Sequence, residues 1–255
     1  MTTERGRGTM KNSKEYSKKL QKFYRGLKAK HPKVHKPSYN DPADALIRGI
    51  ISEKMTKDQA GISARQFADY FVDLNDLRVS RTDEVLEMLG GDTPAMMGIA
   101  ASIATALSFI FNKYNEVTLE SLKKMGKRPA REFLESINGT SKFSVDYCML
   151  TSLQGHAIPL TGDMKAYLKH DHLVHPEADD DDIDSFLTRQ ISAENAYEFY
   201  VLLRLHSESF TAKAAKAVKK PIKTGDAARA RRKKTKKEVK CKEVKRKEVK
   251  HKRRG

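Results

Sequence analysis

Leu134-Glu-Ser-Ile137-Asn138-Gly139-Thr140-Ser141-Lys142-Phe143-Ser144-Val145-Asp146-Tyr147-Cys148-Met149-Leu150, followed after a short gap by Ile158-Pro159-Leu160-Thr161-Gly162-Asp163-Met164, is the most informative stretch of this chain. A helical pattern ends at a Gly turn, and a second apolar helical pattern begins within four residues. A proline-containing apolar loop then leads to a third helix start. Glycine at such a turn lets the backbone come close to a ligand. The N–H groups that open the next helix present positive dipole there.

Outward from this stretch the pattern stays helical. Asp41-Pro42 is a helix start, with Asp41 as cap and Pro42 in the first turn, where its missing N–H costs nothing. Ala45, Leu46, Ile50 and Ile51 follow at helical spacing, and a second helix begins near Asp58. Further helices are expected over 83–89, 118–137, 142–154, 163–171, 180–190 and 193–208. In the last of these Ala196, Phe199, Leu202, Leu203 and His206 mark one face. A basic helix over 12–30 carries Tyr16, Leu20, Phe23 and Leu27 on one side. No alternating strand of convincing length is present. The uncharged run from Thr93 to Asn112 approaches membrane-spanning length. Ser102, Thr105, Ser108 and Asn112 interrupt it, so it is read as a central buried helix, and no membrane partner is expected.

Charge divides the chain of 255 residues into three parts. Residues 1–40 hold 12 basic and 2 acidic residues, residues 41–210 hold 17 and 27, and residues 211–255 hold 21 and 4. The net charge of +17 therefore belongs to the ends, not to the body. The last 45 residues contain no Leu, Met, Phe, Tyr or Trp, and cannot bury enough apolar surface to offset ordering entropy. Within them Lys237-Glu-Val-Lys240 recurs at Lys242 and Lys247. A period of five spirals around a helix, so the repeat makes no amphipathic stripe. The organisation expected is a basic segment with one helix (1–40), a helical body (41–208) and a disordered Lys/Arg-rich tail (209–255). The tail is expected to bind nucleic acid by counterion release, blind to sequence. Two cysteines, one in the body and one in the tail, and the lack of an apolar leader fit a reducing cytoplasm, with nucleoid association in a prokaryote.

The 134–174 stretch resembles the helix-hairpin-helix element of the endonuclease III-like DNA glycosylase superfamily. There the pattern is Leu-Pro-Gly-x-Gly-x-Lys-Thr-Ala, a dozen apolar-rich residues, then Pro-Val-Asp-Thr-His. Pro42–Thr56 is similar to the family's opening helix, with its Ser-x-Gln-x-Thr end, and Glu194–His206 to its closing helix. The resemblance covers about 41–208. It implies an all-α, two-lobed fold and a double-stranded DNA partner. Gly139, Thr140, Ser141 and Lys142 would sit on a phosphate, and Lys54 would stand where relatives carry a glutamine that fills the gap left by a flipped base. Lys123, Lys124, Lys127, Arg128 and Arg131 are expected to line the DNA face.

The departures bear on chemistry. The lysine with which bifunctional members form a Schiff base falls at Phe143, so a lyase reaction through this position is not expected. The carboxylate that supports water attack falls at Thr161 in a gapless alignment. A two-residue shift, allowed by Gly162, makes Asp163 the candidate catalytic acid of a monofunctional glycosylase; a helix cap is its ordinary alternative role. Two cysteines cannot hold a cubane cluster, and Phe210 stands near the family's first cysteine position, so no iron–sulfur cluster and no other cofactor is expected. His170, His172 and His175 stand near Asp179–Asp182, but the i, i+2 spacing of the first two splays them on a helix, and no metal site is expected. Three functions remain open: a monofunctional glycosylase, a catalytically degenerate DNA-binding relative, and an RNA- or ribosome-associated protein that binds through its tail.

Overall fold

A computed structural model describes residues 13–218. Eleven α-helices and one 3-10 turn make up the described residues, with no strand among them. They are α1 (Ser13–Lys30), α2 (Pro42–Glu53), α3 (Lys57–Tyr70), α4 (Leu74–Val79), α5 (Thr82–Leu89), α6 (Pro94–Tyr114), the 3-10 turn (Glu120–Lys124), α7 (Lys127–Ser136), α8 (Lys142–Thr151), α9 (Gly162–His170), α10 (Asp180–Gln190) and α11 (Ala193–Val218). Contacts group the chain through Thr211 into one unit, and a second begins at Ala212. The lysine-rich repeat and Cys241 lie outside the described residues.

Two apolar cores build the first unit. One gathers α2–α8, with Leu46, Ile50, Ile103, Leu107 and Leu134 at its centre. The other gathers α1 and α8–α11 around Leu20, Leu168, Phe186, Phe199 and Leu202. Helix α8 belongs to both. It turns Val145, Cys148 and Met149 to the first core and Phe143, Tyr147 and Leu150 to the second. Every residue of α8 from Phe143 to Thr151 is buried, the polar Ser144, Asp146 and Thr151 among them, so no exposed polar stripe marks it.

Helix α2 is the inner partner of α8. Asp41 caps it, accepting a bond from the Ala43 N–H at 2.7 Å, and also accepts one from the Leu119 N–H at 2.9 Å. Gly49 lets the two helices meet backbone to backbone: a Cβ there would lie 2.9 Å from the Ser144 Cα. The Cys148 thiol donates to the Pro42 carbonyl, and the Ser141 hydroxyl to Glu53. These contacts fix an antiparallel pair that brings the end of α2 to the start of α8.

Several elements differ from the sequence expectation. The expected helix over 118–137 is the 3-10 turn plus α7, separated by extended backbone at Met125 and Gly126. Six-residue α4 is too short to show a period, and α11 runs ten residues past its expected end. Helix α6 is long and apolar enough, by length and composition, to cross a membrane. It buries Ile99, Ile103, Ala106, Leu107 and Ile110, while Ala95, Gly98, Ala101 and Ala104 face outward. It is therefore one-sided rather than central: small residues make its outer face apolar in composition yet small in area.

Candidate nucleic-acid interface

The turn between α7 and α8 is a tight glycine hairpin. Gly139 has φ +88°, and a Cβ there would stand 2.6 Å from the Ser102 carbonyl oxygen. Both the backbone conformation and the packing on α6 thus require glycine. The hairpin's polar groups are largely satisfied within the protein. The Thr140 N–H donates to the Ile137 carbonyl at 3.3 Å, and the Ser141 N–H to the Ser144 hydroxyl at 2.9 Å. The Ser141 hydroxyl caps α8, accepting from the Ser144 N–H, and donates to Glu53 Oε2 at 2.7 Å. A carboxylate therefore already stands where the resemblance places a phosphate.

Two adjoining hollows flank this hairpin. A cleft of about 220 Å3 is lined by Glu53, Lys54, Lys142, Phe143, Asp146 and Thr161, with Lys165, Asp180 and Asp184 on its α9–α10 side. The second, about 410 Å3, runs along α6 and shares Glu53 and Lys54 with it. The structure thus brings Lys54 together with Gly139, Thr140, Ser141 and Lys142. Lys54 is 61% exposed, with its Nζ 3.6 Å from Glu53 Oε1.

Two of the cleft lysines are engaged by aspartates of α10. Lys142 Nζ lies 2.6 Å from both Asp181 Oδ1 and Asp184 Oδ2, and Lys165 Nζ lies 2.6 Å from Asp180 Oδ2. Burial works against the Lys142 ammonium, but Asp181 and Asp184 outweigh it and hold the group above its ordinary value. The bond from Lys165 holds the Asp180 carboxyl below the usual carboxylate range. Asp146, 9% exposed, pairs with Arg131 Nη2 at 2.7 Å. Burial raises its carboxyl above the ordinary value, and Arg131 offsets this only in part.

Asp163 is not among these residues. It is exposed in the first turn of α9, where a negative charge suits the helix dipole, and it does not line the cleft. Nor is it the cap: the Thr161 hydroxyl accepts the Met164 N–H at 3.3 Å. Phe143 is 4% exposed and stacks at 19° on Tyr147, with the Arg204 guanidinium 5.9 Å from its ring centre. Lys127 and Arg128 open α7, whereas the hairpin follows its other end, so about 15 Å of helix separates them from Gly139. Arg128 is bonded to Glu132, and Arg131 serves Asp146 rather than an outer face. Asp179 caps α10, accepting the Asp182 N–H at 2.7 Å.

Arg204 escaped the sequence reading. It is 2% exposed on α11 and donates from Nη2 to the Ser52 and Met55 carbonyls, each at 2.6 Å. It also donates to the Tyr200 hydroxyl at 2.7 Å and to Glu208 at 2.9 Å. Glu208 in turn accepts the Lys57 N–H. The carbonyls at the end of α2 are thereby held, and with them the backbone that carries Glu53 and Lys54. The signal was available: Ala196, Tyr200, Arg204 and Glu208 follow one another at i+4.

The fold is that of the helix-hairpin-helix DNA glycosylases. The chain is similar to an endonuclease III trapped as a covalent intermediate with DNA, at TM-score 0.58 and 13% identity over 74% of this chain and 84% of that one. It is similar to the 8-oxoguanine glycosylase/lyase of Clostridium acetobutylicum bound to double-stranded DNA, at TM-score 0.59 and 17% identity over 78% and 71%. A thermostable thymine-DNA glycosylase matches at TM-score 0.53 and 13% identity over 76% and 85%. No protein-family model matches the sequence, and comparison with curated proteins finds no match.

Proposed function

We propose that this chain is a double-stranded-DNA-binding protein that uses the glycosylase fold as a binding scaffold and does not excise bases. The observation that carries this reading is the fate of the two positions at which the resemblance places chemistry. Phe143 is a buried stacking residue, and Thr161 is spent as the cap of α9. Neither offers an amine or a carboxylate to a sugar, and Asp163 stands outside the cleft. Binding has other supports. Lys54 stands at the hairpin, and α1 carries Lys14, Lys18, Lys22 and Arg25 at successive helical turns, all exposed and none ion-paired among the described residues. Leu20, Tyr24 and Leu27 anchor the opposite face of α1 in the second core, so this basic stripe is fixed to the acidic body. The place expected for such a protein is the cytoplasm, at the nucleoid in a prokaryote.

One observation favours a second reading. Asp146 is a buried carboxyl on the cleft wall with a raised pKa, the property of a general acid or base. Base release from duplexes bearing a panel of lesions, measured for the wild type, Asp146→Asn and Asp163→Asn, separates the two. The proposal expects no release by any of them, together with saturable duplex binding that structured RNA does not outcompete. Release by the wild type and Asp163→Asn but not by Asp146→Asn would establish excision through Asp146. Preferential capture of RNA would replace the DNA partner.

A further inference from the structure

At the end of the α7–α8 pair away from the hairpin lies a cavity of about 690 Å3, within the size range of small-molecule sites. Its walls come from the segment before α2, the start of α7 and the end of α8. They present Lys36, Lys123 and Lys127, the Tyr39 ring and Ser152. No Asp or Glu lines it, and none of the three lysines is ion-paired among the described residues. The hairpin cleft has three lysines too, but four carboxylates line it with them. Beside an acidic body, then, the cavity gathers three cations with no carboxylate on its walls.

Two further features favour an anion. Ser152 stands on the cavity wall with no hydrogen-bond partner for its hydroxyl among the described residues, so rotation about its side chain would offer a donor to a ligand. Helix α7 begins at this wall with Gly126 as its cap residue and no side chain bonded to its first N–H groups. Lys123 is tethered by its bond to the Asn40 carbonyl, so one ammonium is already ordered before a ligand arrives.

We propose that this cavity is a second anion-binding site, separate from the hairpin cleft, for the phosphate of a phosphate ester. The lysines and the α7 start would take the phosphate oxygens, and the Tyr39 ring would cover an attached apolar or planar group. The phosphate has two possible sources, a free nucleotide or the backbone of a bound duplex.

The test is site-resolved, because the Lys/Arg-rich residues 219–255 are expected to bind phosphate as well. Full-length 15N-labelled protein is titrated with inorganic phosphate, with deoxyadenosine monophosphate and with a 12-base-pair duplex. The expected result is saturable shifts of the Lys127, Ser152 and Gln154 amides with the monophosphate. Affinity should fall at least tenfold in Lys36→Gln/Lys123→Gln/Lys127→Gln and stay unchanged in Lys57→Gln. These side chains are outside the cores, and an unchanged thermal midpoint verifies that the triple variant folds. If the duplex displaces the monophosphate from these amides, the backbone is the source; if both bind together, a free phosphate ester is. Absence of saturable shifts at these amides, or their survival in the triple variant, overturns the site. Neither result bears on whether the hairpin cleft excises bases.

Discussion

Arg204 shows how one residue fixes the geometry that matters. A guanidinium so nearly removed from water persists because each of its three nitrogens finds an acceptor: two carbonyls, a phenol and a carboxylate. The Tyr200 hydroxyl is pushed up to about 12 by its own burial, with Arg204 pulling the other way. Lysine at this position keeps the charge but loses the planar fork, and methionine keeps the stem but orphans the Ser52 and Met55 carbonyls and Glu208. Arg204→Met should cost about 3–5 kcal/mol and Arg204→Lys nearly as much, read from urea midpoints. A lysine variant within about 0.5 kcal/mol of the wild type would show that charge alone suffices. Gly139 makes the complementary point: a tight turn was legible in the glycine of the quoted stretch, but the group its backbone approaches is the Ser102 carbonyl of α6, which the sequence alone could not name. The buried Arg204 was hidden, because a single cation in a helix is usually solvated and only its tertiary neighbours decide otherwise.

At the scale of elements the sequence was legible wherever structure is local. Caps, proline positions and apolar spacing located α2, α5, α8, α9 and α10 to within a few residues, because these depend on neighbours along the chain. What could not be read is pairing between elements. The Asp179–Asp182 run looked like a solvated helix start, and Asp179 is indeed the cap of α10. Its neighbours instead reach across to Lys142, 39 residues away from Asp181, and to Lys165. The likeness to the hairpin motif located the turn correctly but could not show that aspartates would occupy its lysine. Helix α10 thus sets carboxylates against the lysines that the hairpin resemblance assigns to phosphates, and a duplex bound as proposed would have to displace them. Both aspartates are largely exposed, so each pair contributes little to stability. Asp180→Asn/Asp181→Asn should therefore leave the fold intact and tighten duplex binding by about three- to tenfold at low salt, measured by fluorescence anisotropy. Equal or weaker binding would mean that α10 does not compete with DNA.

The whole molecule joins an acidic body to basic ends, and its nucleic-acid affinity should follow that division. Every phosphate neutralised by a lysine or arginine adds about 0.9 to the slope of log affinity against log salt. Residues 219–255 hold 19 basic residues against 4 acidic ones, more than the hairpin and the α1 stripe together can offer. If those residues engage the backbone, they dominate both the affinity and its salt dependence, while the body supplies a smaller contribution that depends on duplex shape. A chain ending at Val218 keeps α11 whole and both cores untouched, so its thermal midpoint should not change. Its duplex affinity between 50 and 200 mM salt should fall on a line shallower by at least four in slope than that of the full chain, yet not flat. The remaining slope should drop again in Lys14→Gln/Lys18→Gln/Lys22→Gln, since that stripe is the largest run of unpaired cations on α1. An unchanged slope on truncation would place the phosphate contacts in the body, and a flat line would remove α1 and the hairpin from the interface. A shallower but finite slope is the result that makes the net charge of +17 a property of attachment, with duplex recognition left to the folded helices.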